Sequence, residues 1–188
     1  MGGLSVAILT GGRARRMDGR AKGLIEINGT PIIRRLTNLV QNRASDIFFV
    51  GQEDGAYASL GFRTISDAQP NKGAPGGLYT ALISADTPWV MVLPCDVPYL
   101  NTETLDRLQP SRVHDAILYR VNGRQQPLVG LWNQKVSEAL HTALKRGNPS
   151  LNELAEGLNV KWIETTDERP FFNLNSHADL AKLKKARS

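Results

Sequence analysis

The chain is poor in cysteine and aromatic residues and has no long apolar run. A single cysteine, Cys95, in 188 residues allows no internal disulfide, which fits a reducing, cytoplasmic setting. No stretch approaches the roughly eighteen apolar residues of a membrane span. The first residues lack the basic start and apolar core of a secretory leader. The three histidines, His114, His141 and His177, are too scattered for metal-ligand spacing. No Gly-x-Ser-x-Gly elbow marks a serine nucleophile. Aromatics make up 6% and do not interleave with basic residues as a base-stacking platform requires. The net charge of +5 therefore predicts no nucleic-acid partner. The tail cluster Lys182, Lys184, Lys185 and Arg187 reads as a solvated helix face. With 41% hydrophobic and 22% charged residues, the composition is that of an ordinary globular protein, long enough for one domain over residues 1–188.

Strand and helix patterns alternate along the chain. Leu4 to Leu9 is an apolar run that reads as a buried strand. Thr30-Pro31 is placed to start a helix, as N-cap and first helical residue, with Ile32, Ile33, Leu36, Leu39 and Val40 at helical spacing. Ile47–Val50 and Phe62–Ile65 read as strands. Asn71-Lys72-Gly73-Ala74-Pro75-Gly76-Gly77 is a glycine-rich turn opening a helix through Leu78, Leu82 and Ile83. Trp89–Leu93 has the strongest strand pattern. Asn101 or Thr102 caps a helix carrying Leu105 and Leu108. Ala116–Val121 and Pro127–Trp132 read as strands joined across Asn122-Gly123, a hairpin signal. Helices follow over 133–145 and 151–158, then a strand Val160–Ile163 and an extended piece Phe171–Asn175. Ser176 with Asp179 makes a capping-box start to a last helix. This alternation predicts an α/β fold: a mostly parallel sheet, helices on both faces, and one antiparallel excursion near 116–132.

In such folds ligands bind at the carboxyl ends of the strands, where loops 10–23, 66–77, 94–98 and 173–175 fall. The first leaves Leu9-Thr10, turns on Gly11-Gly12, and offers Arg13, Arg15, Arg16 and Lys22. Adjacent glycines admit close backbone approach and an anion-binding nest; arginine and lysine add phosphate recognition. Asp96, between Pro94 and Pro98, suits either Mg²⁺ bound together with substrate phosphates or a structural role, capping the next helix or stabilising its own turn. Asp67 suits either ligand contact or turn initiation. Cys95 reads as a small buried strand-end residue. Arg120, Arg124 and Gln125-Gln126-Pro127-Leu128 are candidates to line a second-substrate pocket.

The string Leu9-Thr10-Gly11-Gly12-Arg13-Ala14-Arg15-Arg16-Met17, then Lys22-Gly23-Leu24, resembles the signature of the nucleotidyltransferase family that includes molybdenum cofactor guanylyltransferases. Leu93-Pro94-Cys95-Asp96-Val97-Pro98-Tyr99 resembles its second signature, and Asn173-Leu174-Asn175-Ser176 its N-x-N-[ST] element. The resemblance spans nearly the whole chain and implies a three-layer Rossmann-like nucleotidyltransferase fold. The implied reaction is transfer of GMP from GTP to the terminal phosphate of molybdopterin, giving the guanine dinucleotide cofactor and pyrophosphate. It implies Arg16, Lys22 and Asp96 as catalytic residues and Asp96 as ligand of Mg²⁺. Leu9, Thr10, Gly11, Gly12, Lys22, Val50, Asp67, Gly77, Asp96, Asn173 and Asn175 are the implied binding residues. The implied partners are GTP, molybdopterin and, transiently, cofactor-biosynthesis proteins or target molybdoenzymes, with the chain a monomer or weak oligomer. A cytidylyltransferase on the same pterin shares the fold but tends to carry Ala-Ala-Gly where this chain has Thr10-Gly11-Gly12. A sugar-phosphate nucleotidyltransferase commonly needs a longer chain, and a basic RNA- or partner-binding domain is the non-enzymatic alternative. The chain departs from the family pattern at Thr10, where alanine is usual, at the end of the second strand, where relatives often place an asparagine and this chain has Val50-Gly51, and in the placing of Pro75.

Overall fold

The computed structural model describes residues 3–11, 16–17, 20–51, 55–176 and 178–180. Seven strands form one sheet: β1 (Leu4–Leu9), β2 (Asp46–Val50), β3 (Arg63–Ile65), β4 (Trp89–Pro94), β5 (Ala116–Val121), β6 (Arg124–Asn133) and β7 (Val160–Thr165). Their order across the sheet is β3-β2-β1-β4-β6-β5-β7. Strand β1 runs parallel to β2 and β4, and β2 to β3. Strand β6 is antiparallel to both of its neighbours, whereas β7 is again parallel to β5. The predicted excursion is thus one reversed strand within an otherwise parallel sheet.

The reason for two covered faces is visible in the period-2 alternation of the strands. Val6 and Ile8 of β1, with Phe49, Met91 and Leu93, pack on one side against Ile33 and Leu36 of helix α1 (Ile32–Val40) and Leu105 of α3 (Thr102–Asp106). Ala7, Phe48, Val90 and Val92 face the other side. They meet Leu78 and Leu82 of α2 (Gly73–Ser84), Leu140 and Leu144 of α4 (Val136–Arg146), and Leu154 of α5 (Leu151–Glu156). Among the described residues, no helix is long and apolar enough to cross a membrane.

Several local expectations are met and others are corrected. Asn122-Gly123 turns the β5–β6 hairpin with φ of 47° and 78°, the left-handed pair a two-residue turn requires. Asn101 caps α3, its side-chain oxygen accepting from Thr104 N at 2.9 Å. Thr30, by contrast, caps nothing. It pairs with Ile27 in a short ribbon that turns on Asn28-Gly29, and Pro31 takes the N-cap position without a side-chain bond. The Asn-Gly hairpin signal outweighs the Thr-Pro helix signal there. Phe171 ends a 3₁₀ turn, Arg169–Phe171, rather than opening an extended strand. Helix α5 starts at Leu151 as the sequence predicts, and Ser150 with Glu153 forms a capping box at that start.

Ser5, wholly buried in β1, donates its N–H to Thr87 Oγ1 at 2.9 Å. Thr87 Oγ1 also lies 2.8 Å from Ser5 Oγ and from Trp89 O. Removing the hydroxyl leaves a buried N–H without its acceptor, so Thr87→Val should destabilise the chain by about 1–3 kcal/mol, read as a lower urea midpoint with an unchanged slope.

Candidate active site

The strand order reverses between β1 and β4, and the crevice lies at their carboxyl ends. Backbone bonds draw these ends together. Thr10 N donates to Val50 O at 2.8 Å, Gly51 N to Ile65 O at 3.0 Å, and Cys95 N to Leu9 O at 3.2 Å. The residues expected from β1 to β4 therefore converge on one edge.

Lys22 lies at its centre. A ribbon of Arg16–Met17 and Arg20–Ala21 returns the chain from the first loop, and a 3₁₀ turn, Lys22–Leu24, follows it. The Lys22 residue is only 3% exposed. Its Nζ donates to Asn175 Oδ1 at 2.7 Å and stands 3.5 Å from Asp96 Oδ2. Burial raises the Asp96 pKa above the ordinary carboxylate value, and the Lys22 charge opposes that rise. The neighbouring Cys95 is buried, which pushes its thiol up to about 12. At neutral pH it is therefore no nucleophile.

The alternatives left open for the acidic residues now separate. Asn101 caps α3, so Asp96 is not needed there. Asp67 does build a turn: its Oδ1 accepts from Gln69 N at 3.0 Å and from Thr80 Oγ1 at 2.9 Å, tying β3's end to α2. Gly77 in α2 lies against Leu9, where an added Cβ would come within 3.4 Å of that side chain. Asn175 meets Lys22, whereas Asn173 lines a neighbouring cleft. Gly12, Arg13 and Arg15 lie outside the described residues, as does the side chain of Arg16.

That cleft, about 360 Å³, is walled by Pro94 and Val97 after β4, Ala74 and Pro75 of α2, and Phe171 and Asn173. Its remaining wall is Gln126 to Val129 and Ser150 to Asn152. The sheet itself makes the space. Gln126 is paired with Tyr119, but the next paired residue on β6 is Gly130, opposite Leu118. Pro127, Leu128 and Val129 bulge out of the ladder, where proline's missing N–H is tolerated. Trp132 Nε1 donates to Pro127 O at 3.1 Å and fixes the bulge. A Cβ on Gly130 would meet a Leu118 methyl at 2.4 Å, so a larger residue there would have to displace that buried side chain. Arg120, expected near this pocket, instead pairs with Glu164 at 2.7 Å and stacks on Trp162. Val97, Phe171 and the Ser150–Asn152 corner escape the sequence reading, because apolar and cap residues carry no chemical signal of their own.

Among the described residues, no group of three or more His, Cys, Asp or Glu side chains is placed to hold a metal ion. A lone carboxylate, 19% exposed at its side chain, nonetheless fits a Mg²⁺ site whose remaining ligands are phosphates and water.

The family model for a MobA-like NTP transferase domain matches residues 6–162. A molybdenum cofactor guanylyltransferase of Vibrio campbellii is 32% identical over 182 residues, covering 95% of this chain and 93% of its own. One from Pseudomonas paraeruginosa is 33% identical over 187 residues, with the same two shares, 95% and 93%. The crystal structure of molybdopterin-guanine dinucleotide biosynthesis protein A from Archaeoglobus fulgidus matches with a TM-score of 0.79 over 97% of each chain. At 22% identity, that likeness is one of fold.

Thr10 and Gly51 are physically linked. A Cβ on Gly51 would lie 2.5 Å from Thr10 Oγ1 and 2.9 Å from Gly11 N. The Thr10 hydroxyl, which donates to Val50 O at 3.1 Å, occupies the space a side chain at 51 would need. Gly51→Ala should therefore destabilise the chain by about 1–3 kcal/mol. The Thr10→Ala/Gly51→Ala pair should recover part of that loss in a urea titration, and simple additivity would show that the two sites do not share this space.

Proposed function

The chain belongs to the MobA-like NTP transferase family, and from that premise we propose that it transfers GMP from GTP to the terminal phosphate of molybdopterin. The observation that carries this reading is the buried Lys22 ammonium held beside Asp96 where the parallel strands end. An acceptor phosphate oxygen bonds to the α-phosphorus of GTP, and the bond from that phosphorus to the bridging oxygen breaks, releasing pyrophosphate. The acceptor phosphate is already anionic, so no general base is needed. That agrees with the absence of a poised histidine from the described site.

Positioning and charge neutralisation are what such a transfer requires. Gly11 with Gly12 receives the triphosphate on its backbone N–H groups. Lys22 neutralises the charge that builds on the α-phosphate and the departing pyrophosphate, a role the family resemblance also gives to Arg16. Asp96 would hold Mg²⁺, which when bound neutralises triphosphate charge. Leu9, Val50, Asp67 and Gly77 line the nucleotide side at β1 to β3. The cleft beside the β6 bulge, with Asn173 in its wall, takes the acceptor pterin. Its mostly apolar walls and few amides suit a flat heterocycle with polar edges.

Binding of GTP, CTP and ATP to the purified chain, with Mg²⁺ and with EDTA, tests the nucleotide assignment. Selective GTP binding is expected, and a preference for CTP or ATP would overturn the guanylyl reading. Asp96→Asn should abolish Mg-dependent turnover while leaving the fold intact. A carboxyl whose pKa rises on folding lowers stability as pH climbs past its unfolded value of 3.8. The stability of Asp96→Asn relative to the parent should accordingly increase from acid to neutral pH. Normal turnover by this variant would remove Asp96 from the reaction.

A further inference from the structure

Charge alone would draw the Lys22 ammonium onto the Asp96 carboxylate. Charge-assisted N–H···O⁻ bonds close to about 2.7–2.9 Å. Here the order is inverted: the neutral amide of Asn175 is at 2.7 Å and the carboxylate at 3.5 Å. The backbone around both acceptors accounts for the spacing. Asp179 Oδ2 accepts from Asn175 N at 3.1 Å and from Ser176 N at 2.9 Å. One residue back, Leu174 N donates to Asp96 O at 2.8 Å, and the Leu174 side chain is fully buried. The segment carrying Asn175 is therefore anchored to the loop carrying Asp96, and the gap between amide and carboxylate is built in.

We propose that Asn175 is a positioning residue that holds the Lys22 ammonium off Asp96. It thereby keeps the ammonium free for phosphate oxygens and the carboxylate free for a cation. This rests on the nucleotidyltransferase reading for the identity of those ligands. Lysine is a donor only, so the amide presents its oxygen to Nζ, and its NH₂ retains two donors for an incoming oxygen. A tight Lys22–Asp96 pair would satisfy both charges internally and leave the site without either. Asn175 is itself exposed, so truncating its side chain removes no core packing.

Two readouts test this. In a ligand-free crystal structure of Asn175→Ala, the Lys22 Nζ to Asp96 Oδ2 separation should contract from 3.5 Å to about 2.8 Å. A separation that stays at its parent value or lengthens overturns the proposal. The second readout is binding of inorganic triphosphate in EDTA, measured for Asn175→Ala in the parent and in Lys22→Met. Loss of about five- to tenfold in the parent, and less than about twofold in Lys22→Met, is expected if Asn175 acts through the lysine. Equal losses in both backgrounds, or none in the parent, overturn it. Neither readout depends on guanine. Contraction with lysine-dependent triphosphate loss, in a chain that does not select GTP, supports the positioning role and removes only the guanylyl assignment.

Discussion

A buried ammonium at the carboxyl edge of a parallel sheet is the constraint on which the rest of the site depends. Removing a charge from water is expensive unless partners replace the lost solvation. Lys22 is 3% exposed, and its partners come from Asp96, 74 positions away, and Asn175, 153 positions away. Three distant segments must therefore be correctly folded before this charge is tolerated. The bonds that set them, Cys95 N to Leu9 O and Leu174 N to Asp96 O, are backbone bonds. They bring β1, β4 and the segment carrying Leu174 together.

The same edge divides into two halves around Asp96. On one side β1, β2 and β3 end in the Thr10–Gly11, Val50–Gly51 and Asp67 loops, which are packed tightly enough that Gly51 has no room for a side chain. On the other side the single reversed strand β6 loses its pairing over Pro127 to Val129, and a cleft opens. A regular antiparallel ladder would have filled that space with ladder hydrogen bonds and side chains. The bulge converts a stretch of sheet into one wall of the cleft, and Trp132 and Gly130 hold it open from the side of the sheet away from α1.

Asp67 shows how one residue serves structure without being removed from the site. Its Oδ1 is taken by Gln69 N and Thr80 Oγ1, which fixes the start of α2 and so places Gly76 and Gly77. Turn initiation and ligand contact, alternatives in the sequence, are compatible at a carboxylate with two oxygens. Thr10 works similarly. Its hydroxyl donates to Val50 O and fills the space that a side chain at Gly51 would need, so one residue serves both the strand end and its neighbour's packing.

The sequence by itself determined the parallel α/β class, most strand positions, and the four loops that meet at the site. These follow from local signals: apolar periodicity, glycine turns, and the Asn122-Gly123 hairpin. The motifs also carried Lys22, Asp96 and Asn175 to the same loop edge. What only the tertiary structure decided is which of these residues touch. The inverted distances at Lys22 and the diversion of Arg120 to Glu164 depend on backbone positions far apart in the chain. Local propensity also failed at Thr30-Pro31, where a neighbouring Asn28-Gly29 turn claimed the residues for a ribbon. The cleft was legible only in part: the sequence named Gln126, Pro127 and Leu128 for a pocket wall, but Val97, Phe171 and Ser150 to Asn152, which complete it, are gathered by an unpaired stretch that their spacing does not reveal.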